Sequence, residues 1–417
     1  MADAHAHGAD QGLVPVEEAR ERILAQVAPL QPLELPLQEA EGCVLAADLV
    51  AETDIPDFAS SAMDGFAVRS SDVAGASEGS PVELRIVGRA LIGRRPEATV
   101  GGGEAVRIAT GAPIPAGADA VVPIEDCEVV GDRVRVLRAV PEGKHIRPSG
   151  EDVRAGEVLL QAGRRLGAPE LGLLATAGFS HPPVHPRPRV VVLSTGDELV
   201  PPTQKPEFGQ VRDSNAYLLY GALREVGAVP VMAGIVPDDV EQLKEAVFSH
   251  LLQADAFIST GGVSVGERDV VKAAFFKRGD VSFYRVAMQP GMPQGFGHVE
   301  GKPFFGLPGN PVSVFVSFEV FIRPALRKMM GRRQLYRPEI TARLEEDVTG
   351  PRDKTQFARV RVRRTPKGWV AAPTGGRGSN LIATVSRANG LAIVPPGVET
   401  APAGSEVRVM IFRPTED

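Results

Sequence analysis

Two stretches of this chain end an apolar run in the same three residues, and that repeat constrains the fold more than any other feature. Arg189–Leu199 reads RVVVLSTGDEL, and Ala256–Asp269 reads AFISTGGVSVGERD. Each begins as a buried strand, stops at Ser-Thr-Gly and continues into acids. Gly261 and Gly262 supply the positive φ and the lack of side chain that such a turn needs. A strand feeding a glycine-rich turn leaves backbone N–H groups free to cradle phosphate oxygens. Carboxylates just beyond, here Glu267 and Asp269, suit a hard cation such as Mg2+, which takes oxygen ligands. In open α/β sheets the ligand crevice lies beyond the carboxyl ends of the strands. Ser194, Thr195, Gly196, Asp197 and Glu198 are therefore expected to share a crevice with Gly261, Gly262, Ser264 and Asp269.

The segment around these stretches alternates strand and helix from Arg189 to Gly331. VVVLSTG, VPVMAGIV, AFISTGG, VSFYRVAMQPG and KPFFGLPGNP read as strands. Asn215–Val226, Val240–Leu252, Asp269–Lys277 and a long Val312–Met330 read as helices. The alternation predicts a parallel sheet with helices on both faces. Asn310 is a good N-cap and Pro311 a good first helical residue. The loop Gly306–Pro311 is then expected to aim free amides and a positive dipole end above the sheet.

The flanks differ in kind. Val16, Ala19, Ile23 and Val27 follow helical spacing near the start. Val82–Val136 reads as short strands with turn glycines, the signature of a small β-barrel or sandwich. In the loop before it, spacing alone leaves Asp64 as either a turn aspartate or a functional one. Leu166–Ala177 reads as a short helix, and HPPVHPRP, with His181 and His185, as an extended linker. Tyr336–Arg413 returns to strands, a second small β-module. Arg359, Arg361 and Arg363 share one face of a strand there, and a solvated edge strand is the default reading.

Composition excludes several classes. The net charge of -6 offers no whole-chain attraction for nucleic acid. No stretch of about 18 apolar residues occurs, so no membrane span is expected. The N-terminus, MADAHAHGAD, lacks the basic and apolar regions of a secretory signal. Cys43 and Cys127 are the only cysteines, which fits the reducing cytoplasm and excludes a disulfide framework. No Walker A lysine motif and no GxGxxG occurs. The acids after the predicted strands are Asp197, Glu198, Asp238, Asp239, Glu267 and Asp269. Carboxylates gathered at adjacent strand ends repel one another unless a cation sits among them, which argues for a Mg-nucleotide or pyrophosphate site.

Eight motifs then occur in order over nearly the whole chain: SSAMDGFAVR, RIATGAPIPAGADAVVPIED, SGEDVRAGE, STGDELV, STGGVSVGERD, PGMPQGFG, GLPGNPVSVFVSFE and SRANGLAIVPPG. The chain resembles the molybdopterin molybdenumtransferase family, that of bacterial MoeA and the gephyrin E-domain. The resemblance implies a multidomain α/β plus β protein. Residues 12–186 would form an N-terminal linker region with a β-barrel inserted at about 60–142, residues 187–331 a central three-layer αβα domain of MoaB/Mog type, and residues 335–413 a C-terminal β-barrel. It further implies a homodimer that inserts molybdate into adenylylated molybdopterin with Mg2+ and releases AMP. The site would lie between the α/β domain of one subunit and the first β-module of the other. A molybdopterin adenylyltransferase and cofactor-receiving molybdoenzymes would be its partners.

Carried over by motif, the resemblance gives functional roles to Asp64, Thr110 and Asp152, and metal-holding roles to Glu198, Asp238 and Asp269. It gives binding roles to Pro308, Gly309, Asn310 and Pro311, with Ser313 at the helix start. Candidates to meet molybdate are Ser313, Arg285, Arg359 and Ser379. One departure stands out. The family usually has lysines in a Lys-Pro-Gly-Lys-Pro segment, where this chain has Gln289-Pro290-Gly291-Met292-Pro293. The departure supports one alternative, a binding or scaffolding protein without catalysis; the resemblance of the α/β module leaves another, the neighbouring adenylylation step.

Overall fold

A computed structural model of the protein describes residues 12–262, 270–275 and 281–414. The chain divides into two compact units. One takes the chain up to Leu35, Gly42–Ala46 and everything from Pro183 on; the other takes Pro36–Glu41 and Ala47–Pro182.

The first unit is organised by a six-stranded sheet of β1 (Arg189–Thr195), β2 (Val229–Val236), β3 (Ala256–Thr260), β4 (Val281–Arg285), β5 (Pro293–Val299) and β6 (Lys302–Leu307), in the order β2-β1-β3-β6-β5-β4. β1 runs parallel to β2 and β3, and β3 parallel to β6. β5 is antiparallel to both its neighbours, so β4 points the same way as β6. The sequence runs are apolar without interruption because both faces are covered. Val190, Val192, Ile258 and Phe305 pack on one side with Leu219 and Leu223 of α1 (Asn215–Val226) and with the long helix. Val191, Leu193, Phe257 and Phe304 pack on the other with α2 (Val240–Ser249) and α3 (Val270–Phe275).

The long helix runs from Pro311 to Met329, with a π turn at Phe318–Ile322 between two α segments. Pro324 cannot donate to the turn before it, and the widened turn sits where that bond is missing. The same stretch carries a buried ion-pair cluster. Arg337 donates from Nε to Glu319 Oε2 at 2.9 Å and from Nη2 to Oε1 at 3.0 Å. The amphipathic helix Val16–Ala25 buries Val16, Ala19 and Ile23 against this side of the unit.

The proline-rich segment is held more firmly than a linker. Pro183–His185 is the middle strand of a small sheet, between Leu33–Glu34 and Val44–Leu45. His185 Nδ1 lies 2.8 Å from the Leu30 carbonyl oxygen. Cys43 is buried as a small core residue.

The C-terminal β-module is a closed barrel of five strands: Glu339–Leu344, Thr355–Thr365, Gly368–Pro373, Gly390–Val394 and Glu406–Ile411. Thr355–Thr365 therefore has a partner on each side and is no edge strand; Arg361 and Arg363 are solvated as expected, but Arg359 is buried, which corrects the default reading for that residue.

The second unit holds a six-stranded sheet in the order Ala120–Pro123, Gly65–Val68, Glu104–Ile108, Val82–Ala90, Arg133–Val136 and Cys127–Val130. Phe66, Val68, Leu84 and Val122 bury one side, and Ala67, Val106, Ile108 and Val121 the other.

Candidate functional site

The floor of the candidate site is a row of hydroxyls at the ends of β1 and β3. Ser194, Thr195, Ser259 and Thr260 are all buried, polar residues at the finish of apolar strands. Thr195 Oγ1 donates to the Thr260 carbonyl oxygen at 3.2 Å, and Thr260 Oγ1 donates to Ser194 Oγ at 3.4 Å. Gly261 follows with φ 88°, and a Cβ there would lie 2.4 Å from the Thr195 carbonyl oxygen. The glycine is required by close approach of two strand ends as well as by its backbone angle.

Two amides of these turns, those of Gly196 and Gly261, are not free, contrary to expectation. Gly196 N–H donates to the Val236 carbonyl and Gly261 N–H to the Leu307 carbonyl. Turns in a tightly packed crevice satisfy one another first, since an unpaired buried amide is costly. Their effect is to lock four strand ends together.

Acids rise from this floor. The Asp238 N–H donates to Asp197 Oδ1 at 3.1 Å, which ties the end of β2 to the end of β1. The Asp238 carboxyl is pushed above the usual range, by partial burial first and then by the nearby charges of Asp197 and Glu198. These three carboxylates thus form one electrostatic cluster. Asp239 does different work: it caps α2, accepting the Gln242 N–H at 2.8 Å. Asp269 and Ser264 lie outside the described residues. Among the described residues, no three acids, histidines or cysteines stand close enough to enclose a metal ion on their own.

The loop after β6 closes the crevice. Asn215, first residue of α1, donates from Nδ2 to the Gly309 carbonyl oxygen at 2.6 Å. Its Oδ1 is buried with no hydrogen-bond partner among the described residues. A Cβ on Gly309 would lie 3.9 Å from Gly261 Cα. Pro308, Gly309, Asn310 and Pro311 therefore sit beside the β3 turn. The sequence pointed to free amides at this helix start, yet the Val312 N–H donates to the Ser379 carbonyl oxygen at 3.0 Å. Ser379 is thereby brought to the helix whose first turn carries the buried Ser313.

Arg359 belongs to the same surface. Far from being solvated, it is 4% exposed, and its Nε donates to Thr384 Oγ1 at 3.1 Å. Its Nη2 donates to the carbonyl oxygens of Gly376 and Gly378, one residue before Ser379. No carboxylate pairs with it among the described residues, and burial pulls its pKa down. Arg285 ends β4, two strands beyond β6 and exposed.

In the second unit, Thr110 N–H donates to Asp64 Oδ1 at 2.8 Å, and Ile124 N–H to the Asp64 carbonyl oxygen at 2.9 Å. Asp64 is thus a turn residue that also fixes Thr110. Asp152 is held on another segment, its N–H donating to the Ile55 carbonyl at 3.0 Å. Asp54 escaped the sequence reading. The Ala155 N–H and then the Ser149 hydroxyl hold its carboxyl below the usual range. Asn215 and Asp213 escaped it too, although Asp-Ser-Asn ahead of an apolar helix is a start signal.

Three families match the chain in succession: "MoeA N-terminal region (domain I and II)" over residues 14–178, "Probable molybdopterin binding domain" over 191–328, and "MoeA C-terminal region (domain IV)" over 341–412. Molybdopterin molybdenumtransferase 2 of Mycobacterium tuberculosis is 42% identical over 400 residues, covering 94% of this chain and 98% of its own. The chain belongs to the molybdopterin molybdenumtransferase family. Molybdopterin molybdenumtransferase 1 of the same organism is 37% identical, and the Staphylococcus epidermidis enzyme 33%, each over 94% or more of this chain and 95% or more of its own. A MoeA crystal structure from Pyrococcus horikosii superposes with a TM-score of 0.82 at 33% identity, covering 97% of this chain and all of the other.

In this molybdopterin molybdenumtransferase family member, Met288–Gln289 pairs with Thr355–Gln356 at the edge of the barrel. Gln289 and Met292 are half-buried and neutral. Gln294 Nε2 donates to Ser317 Oγ at 2.6 Å, which seats the segment on the long helix. Among the described residues, no helix is long and apolar enough to cross a membrane.

Proposed function

We propose that this protein inserts molybdate into adenylylated molybdopterin with release of AMP, using Mg2+. The observation that carries the reading is the cluster of Asp197, Glu198 and Asp238 at the ends of parallel strands, above a floor of buried hydroxyls. Its donors fit Mg2+. They are all carboxylate oxygens, and the Asp238 carboxyl, raised by burial first and then by the charges of Asp197 and Glu198, is one whose ionised form a divalent cation would stabilise. Mg2+ takes one or two protein carboxylates and keeps water or phosphate oxygens as its other ligands, so a closed protein cage is not needed. Glu198 and Asp238, with Asp269, would hold it. When bound, the ion polarises a phosphoryl oxygen and neutralises diphosphate charge.

The chain's own residues bind and orient. Asp197 accepts the Asp238 N–H and so fixes the loop that presents Asp238. Asn215 Oδ1, buried and unpartnered, suits an N–H donor of a ring system seated over Gly309. Arg359, Ser379 and Ser313 suit a dianionic oxyanion beside the helix start. Asp64, Thr110 and Asp152 complete the site from the second unit of another subunit, so the active form is a homodimer, working in the cytoplasm with a molybdopterin adenylyltransferase upstream.

Purified protein mixed with adenylylated molybdopterin, molybdate and Mg2+ tests the reading. AMP release should require both molybdate and Mg2+; release indifferent to molybdate overturns it. Sedimentation velocity tests the dimer.

Gln289 and Met292 favour a second reading, a binding protein with weakened or absent transfer chemistry. Loss of one charge-assisted hydrogen bond removes about 1.5–3 kcal/mol of oxyanion affinity. Calorimetry with molybdate separates the two, since a scaffold without a working site takes up no molybdate.

A further inference from the structure

In the second unit, Val82–Ala90 and Glu104–Ile108 run parallel, with Ala90 opposite Ile108. The chain therefore leaves both strands at the same edge. From one it enters the loop of residues 91–99; from the other it enters the Thr110 turn that binds Asp64. The register shifts between Ile86 and Gly88, leaving Val87 as the extra residue of a bulge. Bulges re-aim the side chains that follow them. Gly88 lies so close to the returning loop that a Cβ would sit 2.6 Å from Ala98 Cβ. Strand and loop together line an open surface cavity of about 450 Å3.

Arg89, Arg94 and Arg95 line this cavity, with Glu97 as its one carboxylate. Arg107, the register neighbour of Arg89, adds a cation to the same face. Four other arginines of this sheet and its loops are matched with acids: Arg85 with Glu104, Arg133 and Arg135 with Glu83, and Arg138 with Asp126. Arg89, Arg94 and Arg95 have no such partner among the described residues. Three guanidinium groups against one carboxylate leave a surplus of two positive charges around one solvent-open pocket.

We propose that this cavity binds the phosphates of a nucleotide diphosphate ester. The proposal rests on the reading that the substrate carries a diphosphate, and adds a recognition site for it beside the Asp64–Thr110 turn. Guanidinium groups offer paired N–H donors that match two phosphate oxygens at once, which a scattered basic surface does not. An open cavity of this volume accepts a diphosphate with its sugar, and the chain's net charge of -6 disfavours a nucleic-acid strand.

Titration calorimetry of the full chain with inorganic pyrophosphate tests the proposal. Chelator is present throughout, so that no divalent cation bridges the ligand to Glu198 and Asp238. One site is expected, weakening as salt is raised. Affinity should fall about tenfold or more in Arg94→Ala/Arg95→Ala, recover in part in Arg94→Lys/Arg95→Lys, and stay unchanged in Arg138→Ala. The single variant Arg94→Glu should give the same loss with an unchanged melting temperature, which separates lost contacts from lost fold. Glu198→Gln should bind pyrophosphate as the parent does, so this result stands apart from that of the AMP-release assay. Parent affinity in both Arg94→Ala/Arg95→Ala and Arg94→Glu, or no binding by the parent, overturns the proposal.

Discussion

The Thr195 hydroxyl donates to the Thr260 carbonyl oxygen at 3.2 Å, and a side chain on Gly261 would lie 2.4 Å from the Thr195 carbonyl. Two strands thus meet at their last residues through a hydroxyl above and a missing Cβ below. The acid cluster stands on that junction, so the junction's rigidity and the cluster's geometry are tied. Replacing Thr195 by Val leaves the buried Thr260 carbonyl without this donor. The expected loss is about 1–3 kcal/mol of stability, measured by urea denaturation.

Gly261→Ala should be harsher at the site than in the fold. The φ of 88° costs a side-chain-bearing residue about 1–3 kcal/mol, and the contact with Thr195 forces the turn to shift. We expect AMP release to be lost while the circular dichroism spectrum is kept. Full activity in this variant removes the Thr195–Gly261 contact from the site.

Glu198→Gln keeps shape and removes charge. AMP release at saturating molybdopterin substrate should fall roughly 100-fold, and the Mg2+ concentration for half-maximal rate should rise. A variant that keeps the parent's Mg2+ dependence shows that Glu198 does not hold the ion.

Asp238 makes a pH prediction. Its carboxyl is raised by partial burial and by Asp197 and Glu198, so between the ordinary carboxylate value and the raised one the native state holds the extra proton. Stability falls as pH rises through that window, and the cost persists above it. Asp238→Asn removes the cost. Without divalent cations, the variant should melt slightly above the parent at neutral pH and level with it in acid. Adding Mg2+ should raise the parent's melting temperature and leave the variant's unmoved. The effect stays small because much of Asp238 remains open to solvent, which screens it.

Arg337→Ala leaves the Glu319 carboxylate buried in the π turn with, among the described residues, only the 3.8 Å contact to Arg323. Loss of a partner from a buried pair costs about 3–5 kcal/mol, enough to see as a lowered thermal midpoint. Arg337→Met with Glu319→Leu should recover much of it, since the penalty comes from the unpaired charge.

Much of the fold was legible because its signals are local. The apolar runs ending in Ser-Thr-Gly mark the ends of β1 and β3, and the Val16, Ala19, Ile23 spacing marks the first helix. Of the acids expected at strand ends, Asp197, Glu198 and Asp238 are drawn into one cluster. What eluded the sequence was the choice of partners. Asp238 and Asp239 are neighbours of one type, yet one faces two carboxylates and the other caps a helix. The backbone angle at the entry to α2 decides between them.

By itself, the sequence determined which residues could build a cation site at the carboxyl edge of a parallel sheet, since residue type, periodicity and turn chemistry are written along the chain. Only the tertiary structure decided which of them were free to act. Arg359 lost its solvent to Thr384, Gly376 and Gly378, the Val312 amide was claimed by Ser379, and Arg89, Arg94 and Arg95 were left around one cavity with Glu97 as its one carboxylate. Each of these outcomes depends on groups that folding places alongside, because a hydrogen bond or ion pair reaches only a few ångströms and takes no account of distance along the chain.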